Sequence, residues 1–181
     1  MKKIILHICC VGCGVYVSGT LKNNYHVVLF FYNPNIWPKE EYDRRLAEAE
    51  KIAENYKLEL VNGEYEHEKW LEAVRGHEAD PERSERCLIC YKFRLEKAFS
   101  QAKKLHCEYL TTTLTTSPHK DASAVNEIGR QAAVQSGLKF LIEDFKKRDG
   151  FKKSSALSRQ LGLYRQNYCG CEFSQRLTRN S

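Results

Sequence analysis

Short apolar runs alternate with helical patterns along this chain, and that alternation limits the fold more than any other feature. The apolar runs have the length and the β-branched or aromatic content of buried strands. They span residues 4–9, 26–32, 58–61, 108–114 and 139–145. The helical patterns span residues 15–21, 39–56, 67–75, 82–105 and 121–136. This order predicts a single α/β domain over residues 1–181, with a mainly parallel sheet and helices on both faces.

Ligands of such sheets bind beyond the carboxyl ends of the strands. Four segments follow predicted strands directly. They are Cys9-Cys10, Asn33-Pro34-Asn35, Thr115 to Lys120 and Phe145 to Arg148. We therefore expect these four segments to share one crevice.

Seven of the eight cysteines fall into three short clusters. The clusters are His7-x-Cys9-Cys10-x-x-Cys13, Cys87-x-x-Cys90 and Cys169-Gly170-Cys171, and Cys107 stands alone. The first residues lack a secretion-signal cleavage site, and no apolar run is long enough to cross a bilayer, so we expect a cytoplasmic protein without a membrane partner. In that reducing compartment, clustered cysteines indicate metal binding or redox chemistry rather than disulfides.

Two pairs of cysteines supply the four thiolates that either Zn²⁺ or a [4Fe–4S] cluster needs. Cys87 and Cys90 form one pair. Cys9 and Cys10 are adjacent at a strand end, where side chains diverge, so they suit the separated corners of a cube better than one ion. The residues favour iron–sulfur and leave zinc open.

The remaining thiols and His7 have more than one interpretation. Cys169-x-Cys171 fits either a redox-active dithiol or a second metal site. Cys13 is either a spare ligand or a packing residue, and Cys107 is interpreted as a buried structural thiol. His7 lies in a strand and is interpreted as a core histidine with satisfied hydrogen bonds.

His119 and Asp144 are candidate acids, with Tyr168 or a metal-bound water as alternatives. His119 follows the threonine-rich strand and either donates a proton or is simply exposed. Asp144 is expected near the carboxyl end of the last strand, where partial burial would suit an acid. It can equally pair with Arg148 or Lys120.

The C-terminal segment, about residues 146–175, is basic and carries two cysteines. Residues 146–166 account for the whole net charge of +6, and the rest of the chain is neutral. Cations with interleaved aromatic rings suit a single-stranded or loop RNA, although a solvated loop is the plain alternative. The predicted substrate-binding residues are Lys146, Lys147, Lys152, Lys153, Arg159, Tyr164, Arg165 and Tyr168.

Several motifs in order, from residue 7 to residue 174, resemble one family. Besides the cysteine clusters, they are Asn33-Pro34-Asn35-Ile36, Arg86 before Cys87, Tyr91 and Arg94 after Cys90, Thr112 to Thr115 with Ser117 to Lys120, Asp144 to Lys147, and Tyr164-Arg165-Gln166. Together they resemble epoxyqueuosine reductases of the QueH family.

The resemblance implies a Rossmann-like fold related to adenine nucleotide α-hydrolases. It implies a [4Fe–4S] cluster held by Cys9, Cys10, Cys87 and Cys90, an additional iron nearby, and no cobalamin. Cys169 and Cys171 would be a redox pair or ligands of that iron. The implied reaction is reduction of epoxyqueuosine to queuosine at the wobble position of a tRNA with a GUN anticodon, by a monomer that takes electrons from an unidentified donor.

Two other functions fit parts of the sequence. An ATP-dependent tRNA-modifying enzyme of the same fold needs a phosphate loop after the first strand, where this chain has thiols. A non-catalytic, zinc-stabilised RNA-binding module needs only four thiolates and a basic patch, and leaves Cys169 and Cys171 unexplained.

Overall fold

One parallel sheet of five strands organises the molecule. The computed structural model describes residues 1–9, 11–166 and 168–174, and only the backbone of Val11. The strands are β1 (Lys2–Ile8), β2 (Tyr25–Phe31), β3 (Glu59–Asn62), β4 (Tyr109–Thr112) and β5 (Lys139–Phe140). Their order is β3-β2-β1-β4-β5, and every neighbouring pair is parallel. The predicted sheet is therefore confirmed.

Helices cover both faces of this sheet. They are α1 (Val11–Leu21), α2 (Lys39–Tyr56), α3 (His67–Ala73), α4 (Glu85–Lys104), α5 (Ala122–Ser136) and α6 (Gly150–Gln160), and a 3₁₀ helix spans Thr113–Thr116. Successive strand side chains point to opposite faces. Ile5 accordingly packs in the core with α4 and α5, whereas Ile4 and Leu6 pack in the core with α1 and α2. Within the described residues, no helix has both the length and the apolarity to span a bilayer.

The last strand is much shorter than the predicted run of residues 139–145. The ladder continues only to the bond from Leu141 N to Leu110 O, at 2.8 Å. The next acceptor, Leu141 O, accepts a hydrogen bond from the Thr111 hydroxyl at 3.0 Å instead of from a backbone N–H. A side chain thus ends the ladder, and Asp144 lies beyond the strand rather than in it.

The basic segment contains a helix, α6, that the hydrophobic pattern did not predict. Its buried residues are small: Gly150, Ser154, Ser155 and Ser158. Ser154 donates to Gly12 O, and the Ser158 hydroxyl lies 3.5 Å from the same oxygen, so α6 packs directly on the first turn of α1. Serines leave no apolar stripe in the sequence, and this is why the helix was missed.

Candidate active site

A cavity of about 660 Å³ opens beyond the carboxyl ends of the strands. Cys9 after β1, Asn35 after β2 and the Ser117–Lys120 loop after β4 all line it. The prediction of a shared crevice is right for these three segments. It is wrong for residues 145–148, which do not line the cavity, because the chain leaves the sheet after Leu141.

Thiols from all three cysteine clusters meet at this cavity. Cys9, Cys13, Cys87 and Cys169 line its wall, while Cys90 and Cys171 are buried. Cys10 lies outside the described residues. Among the residues that are described, no three His, Cys, Asp or Glu side chains are grouped to hold a single metal ion. Thiols from separate segments of the chain thus share the wall of one cavity.

A buried arginine, Arg94 on α4, lies among these thiols. It is 1% exposed, its Nη1 lies 4.0 Å from Cys90 Sγ, and its Nη2 donates to Asn33 Oδ1. Burial lowers the pKa of Arg94, but the nearby Cys90, Cys9 and Cys169 outweigh burial and raise that pKa overall. The sequence contained a usable signal: a residue four positions after a cysteine lies on the same face of a helix.

Burial disfavours the charged form of three of the thiols, Cys87, Cys90 and Cys171. It raises the pKa of Cys87 and of Cys90, and raises that of Cys171 to about 12. The Arg83 backbone N–H, 3.3 Å from Cys87 Sγ, and the Arg94 guanidinium near Cys90 oppose this effect. Metal ions deprotonate coordinating thiols outright, so a bound metal would oppose this effect of burial.

Arg45 on α2 fixes the turn that carries the last two cysteines. Arg45 is 1% exposed, forms an ion pair with Glu41 at 2.6 Å, and donates through Nη1 to Cys169 O at 3.0 Å. Gly170 has φ +98°, and a β-carbon there would lie 2.8 Å from Arg45 Nη1. The turn presents Cys169 to the cavity and buries Cys171 in a cluster with Trp70 and Phe173. Sequence reasoning had assigned Arg45 no role.

Of the predicted substrate-binding residues, Arg165 and Tyr168 line the cavity. Arg165 is exposed, and its Nη2 donates to Ser155 Oγ at 2.9 Å. Tyr164 instead packs on α2, where its hydroxyl donates to Glu41 Oε2 at 3.2 Å and Arg44 Cζ lies 3.5 Å from its ring centre. The other five lie on or just before α6. Lys147, Lys152, Lys153 and Arg159 are exposed, and Lys146 is half-buried.

The two candidate acids occupy different environments. His119 is exposed and lines the cavity, and its carbonyl accepts from Arg83 Nε at 3.0 Å. Asp144 does not line the cavity, and its Oδ1 accepts from the Lys146 backbone N–H at 3.3 Å. The pairing of Asp144 with Arg148 or Lys120 stays a prediction. A turn within its own loop satisfies this carboxylate.

His7 is the core histidine that the sequence predicted. It is fully buried, and its ring nitrogens lie 2.8 Å from Thr112 Oγ1 and 3.1 Å from Tyr32 O. A carbonyl only accepts, so Nε2 carries the hydrogen and Nδ1 accepts from the threonine hydroxyl. Burial, with a smaller effect from the Arg94 charge, lowers the pKa of His7 to about 3. The ring is neutral, and its two hydrogen bonds connect β1 to β2 and β4.

A family model described as "Epoxyqueuosine reductase QueH" matches residues 4–177. The chain belongs to the QueH family. An epoxyqueuosine reductase QueH from Thermotoga maritima is 37% identical over 180 residues, which cover 96% of this chain and 91% of that protein. Another, from Streptococcus pyogenes, is 31% identical over 181 residues, which cover 97% of this chain and 71% of that protein. The predicted family, and with it the expectation of an oxidoreductase, is confirmed.

A solved structure supports the fold of this QueH family member. It is the U34-tRNA thiolase NcsA from Methanococcus maripaludis with its [4Fe–4S] cluster. The two chains are 13% identical, with a TM-score of 0.55, and the match covers 99% of this chain and 66% of NcsA. The predicted Rossmann-like, adenine nucleotide α-hydrolase-like fold is thereby confirmed.

Proposed function

We propose that this chain is a cytoplasmic epoxyqueuosine reductase, which converts epoxyqueuosine to queuosine at the wobble position of a tRNA with a GUN anticodon. The observation that carries the proposal is the meeting of thiols from three distant segments around one cavity, beside the basic helix α6, in a member of this family. The protein acts without cobalamin, and an external donor supplies its electrons.

The donor set fits a [4Fe–4S] cluster held by Cys9, Cys10, Cys87 and Cys90. Thiols from separate segments that line one cavity suit the separated corners of a cube. The buried guanidinium of Arg94 also suits a neighbour with net negative charge. When bound, such a cluster supplies single electrons to a substrate in the cavity.

The reaction consumes two electrons and two protons, and releases the epoxide oxygen as water. We propose that His119, which lines the cavity, donates one proton to that oxygen. Asp144, Tyr168 and a metal-bound water are the other candidates from the sequence. Replacing His119 with glutamine and Asp144 with asparagine tests these two residues. H119Q should lower kcat and leave tRNA affinity unchanged, while D144N should leave both unchanged.

Cys169 and Cys171 have two possible roles, as a redox pair or as ligands of an additional iron. Cys169 lines the cavity, and its negative charge contributes to the raised pKa of Cys87 and of Cys90. Iron analysis distinguishes the roles. About five irons per chain in the protein, falling to about four in C169S, indicates the additional iron; about four in both indicates the redox pair.

Substrate binding combines the cavity with the basic surface next to it. Arg165, Tyr168 and the 38% exposed ring of Phe151 lie at the cavity, where a base can stack and a phosphate can pair. Lys147, Lys152, Lys153 and Arg159 are exposed nearby in the chain and suit the tRNA backbone.

Anaerobic purification followed by an assay on tRNA carrying the epoxide tests the proposal. We expect a brown protein that contains iron and sulfide and forms queuosine when reduced. C90S should lose iron, whereas C107S, the matched control, should keep it because Cys107 lines a separate hollow at the far end of α4. A colourless protein with one zinc per chain, or product formation that requires ATP, would refute the proposal.

A further inference from the structure

Arg94 lines the cavity but has no part in the proposed proton transfer or tRNA binding. Its guanidinium is buried between Cys90 Sγ, 4.0 Å from Nη1, and the side-chain oxygen of Asn33. Its charge also acts on Cys9 and Cys169, so a single cation faces thiols from all three clusters.

A buried charge is costly unless another charge compensates it. Among the ion pairs of the described residues, none joins Arg94 to a carboxylate. The acceptor that it does have, Asn33, is neutral. The buried cation therefore needs an anionic partner on the side where the thiols lie.

We propose that Arg94 compensates the negative charge of the iron–sulfur cluster and thereby sets the cluster's reduction potential. This inference rests on the proposed function, because it requires a cluster in the cavity. Reduction adds one negative charge to the cluster, and a cation beside the ligand sulfur stabilises the reduced form more than the oxidised form. Removing the cation makes reduction harder.

The experiment is a dithionite titration of the cluster, followed by electron paramagnetic resonance, in the wild type, R94M and R94K. We expect R94M to lower the equilibrium constant for one-electron reduction at least tenfold, equivalent to a potential more negative by 59 mV or more. R94K keeps the charge and should remain within threefold of the wild type.

The matched control is K97M, which removes a charge one turn further along α4. Lys97 is 39% exposed and is already paired with Glu66 at 2.6 Å, so its removal should leave the potential unchanged. A wild-type potential in R94M, or an equal shift in K97M, overturns the role of Arg94.

Iron content is also measured for each variant, because a variant can fail to bind the cluster or fail to fold. Folded R94M without iron, next to R94K with full iron, supports the inference. If R94M does not fold, R94K decides alone: a wild-type potential supports charge compensation, and a folded but iron-free R94K overturns it. A wild-type protein without a cluster would instead refute the proposed function.

Discussion

At the scale of single residues, the turn at Gly170 most directly connects backbone geometry to the active site. Its positive φ favours glycine, and a β-carbon at this position would meet the Arg45 guanidinium. The same guanidinium binds Cys169 O, and the Trp37 backbone N–H donates to Gly170 O at 2.9 Å. A side chain at position 170 would therefore move Cys169 within the cavity.

We expect G170A to destabilise the protein and impair the site together. The left-handed backbone and the contact with Arg45 should cost about 1–3 kcal/mol, which for a chain of this size lowers Tm by about 2–4 °C per kcal/mol. Queuosine formation should fall at least tenfold. Thermal unfolding and the tRNA assay measure the two effects.

G137A is the matched control for this prediction. Gly137 also has a positive φ, +72°, but a β-carbon there would meet nothing within 4 Å, and the residue ends α5 away from the cavity. The control should lose stability and keep its activity. Equal loss of activity in both variants would show that the turn at 170 has no special role.

Residues with local signals were predictable, and residues that act through long-range contacts were not. The cysteine clusters were found by their spacing, and His7 by its place in an apolar strand. Arg45 looked like an ordinary charged residue of an amphipathic helix, and Arg94 was noted only as part of a motif, yet both are buried. Only the fold brings Cys169 and Asn33 to them across 124 and 61 positions of the chain.

At the scale of elements, Glu66 ties α4 and β2 to the start of α3. It accepts from Lys69, Lys97 and the Tyr32 hydroxyl. The bonds from Lys69 and Lys97, with a smaller one from Tyr32, lower the pKa of Glu66 to about 2. A lowered carboxyl pKa contributes stability above the unfolded value of 4.5, and that contribution is lost as pH falls toward 2.

E66Q should therefore destabilise the protein at pH 7 and have a smaller effect in acid. Because the lysine partners are exposed to water, we expect only about 1 kcal/mol at pH 7. Chemical denaturation at pH 7 and at pH 3 measures the difference. The exposed Glu68, replaced by glutamine, is the control and should change neither value. An E66Q penalty that grows in acid would contradict this account.

The contact between α6 and α1 is equally specific. Ser158 is fully buried, and its hydroxyl donates to Ser154 O at 2.7 Å and lies 3.5 Å from Gly12 O. S158L should cost about 1–3 kcal/mol through overpacking and should weaken tRNA binding by displacing the basic helix. S158A adds no volume and should retain binding. Thermal unfolding and filter binding test both variants, and tight tRNA binding by S158L would refute the link.

Elements with apolar periodicity were predicted well, and the exceptions have a physical cause. The β2 prediction, residues 26–32, differs from the observed strand by one residue at each end. The β5 prediction was too long because the Thr111 hydroxyl replaces the next ladder bond. The serine-lined helix α6 was missed because glycine and serines, rather than large apolar side chains, form its buried face.

At the scale of the whole molecule, the positive surface of α6 lies beside the cavity. An α-helix turns 100° per residue, so Lys152 and Arg159, seven positions apart, share one stripe. That stripe is next to Phe151 and Ser155, which line the cavity. An extended polyanion can thus contact α6 while one of its bases enters the cavity.

The double variant K152Q/R159Q should bind tRNA at least tenfold more weakly at low salt. Each lost phosphate contact should also make the slope of log K against log salt less steep by about 0.7–0.9. The control is K103Q/K104Q, which removes two exposed lysines from the end of α4, about 25 Å along that helix from Cys87. Filter binding across a salt series measures both. If the control lowers affinity and slope as much as the α6 variant does, tRNA binding depends on net charge alone and the α6 stripe is not its docking surface.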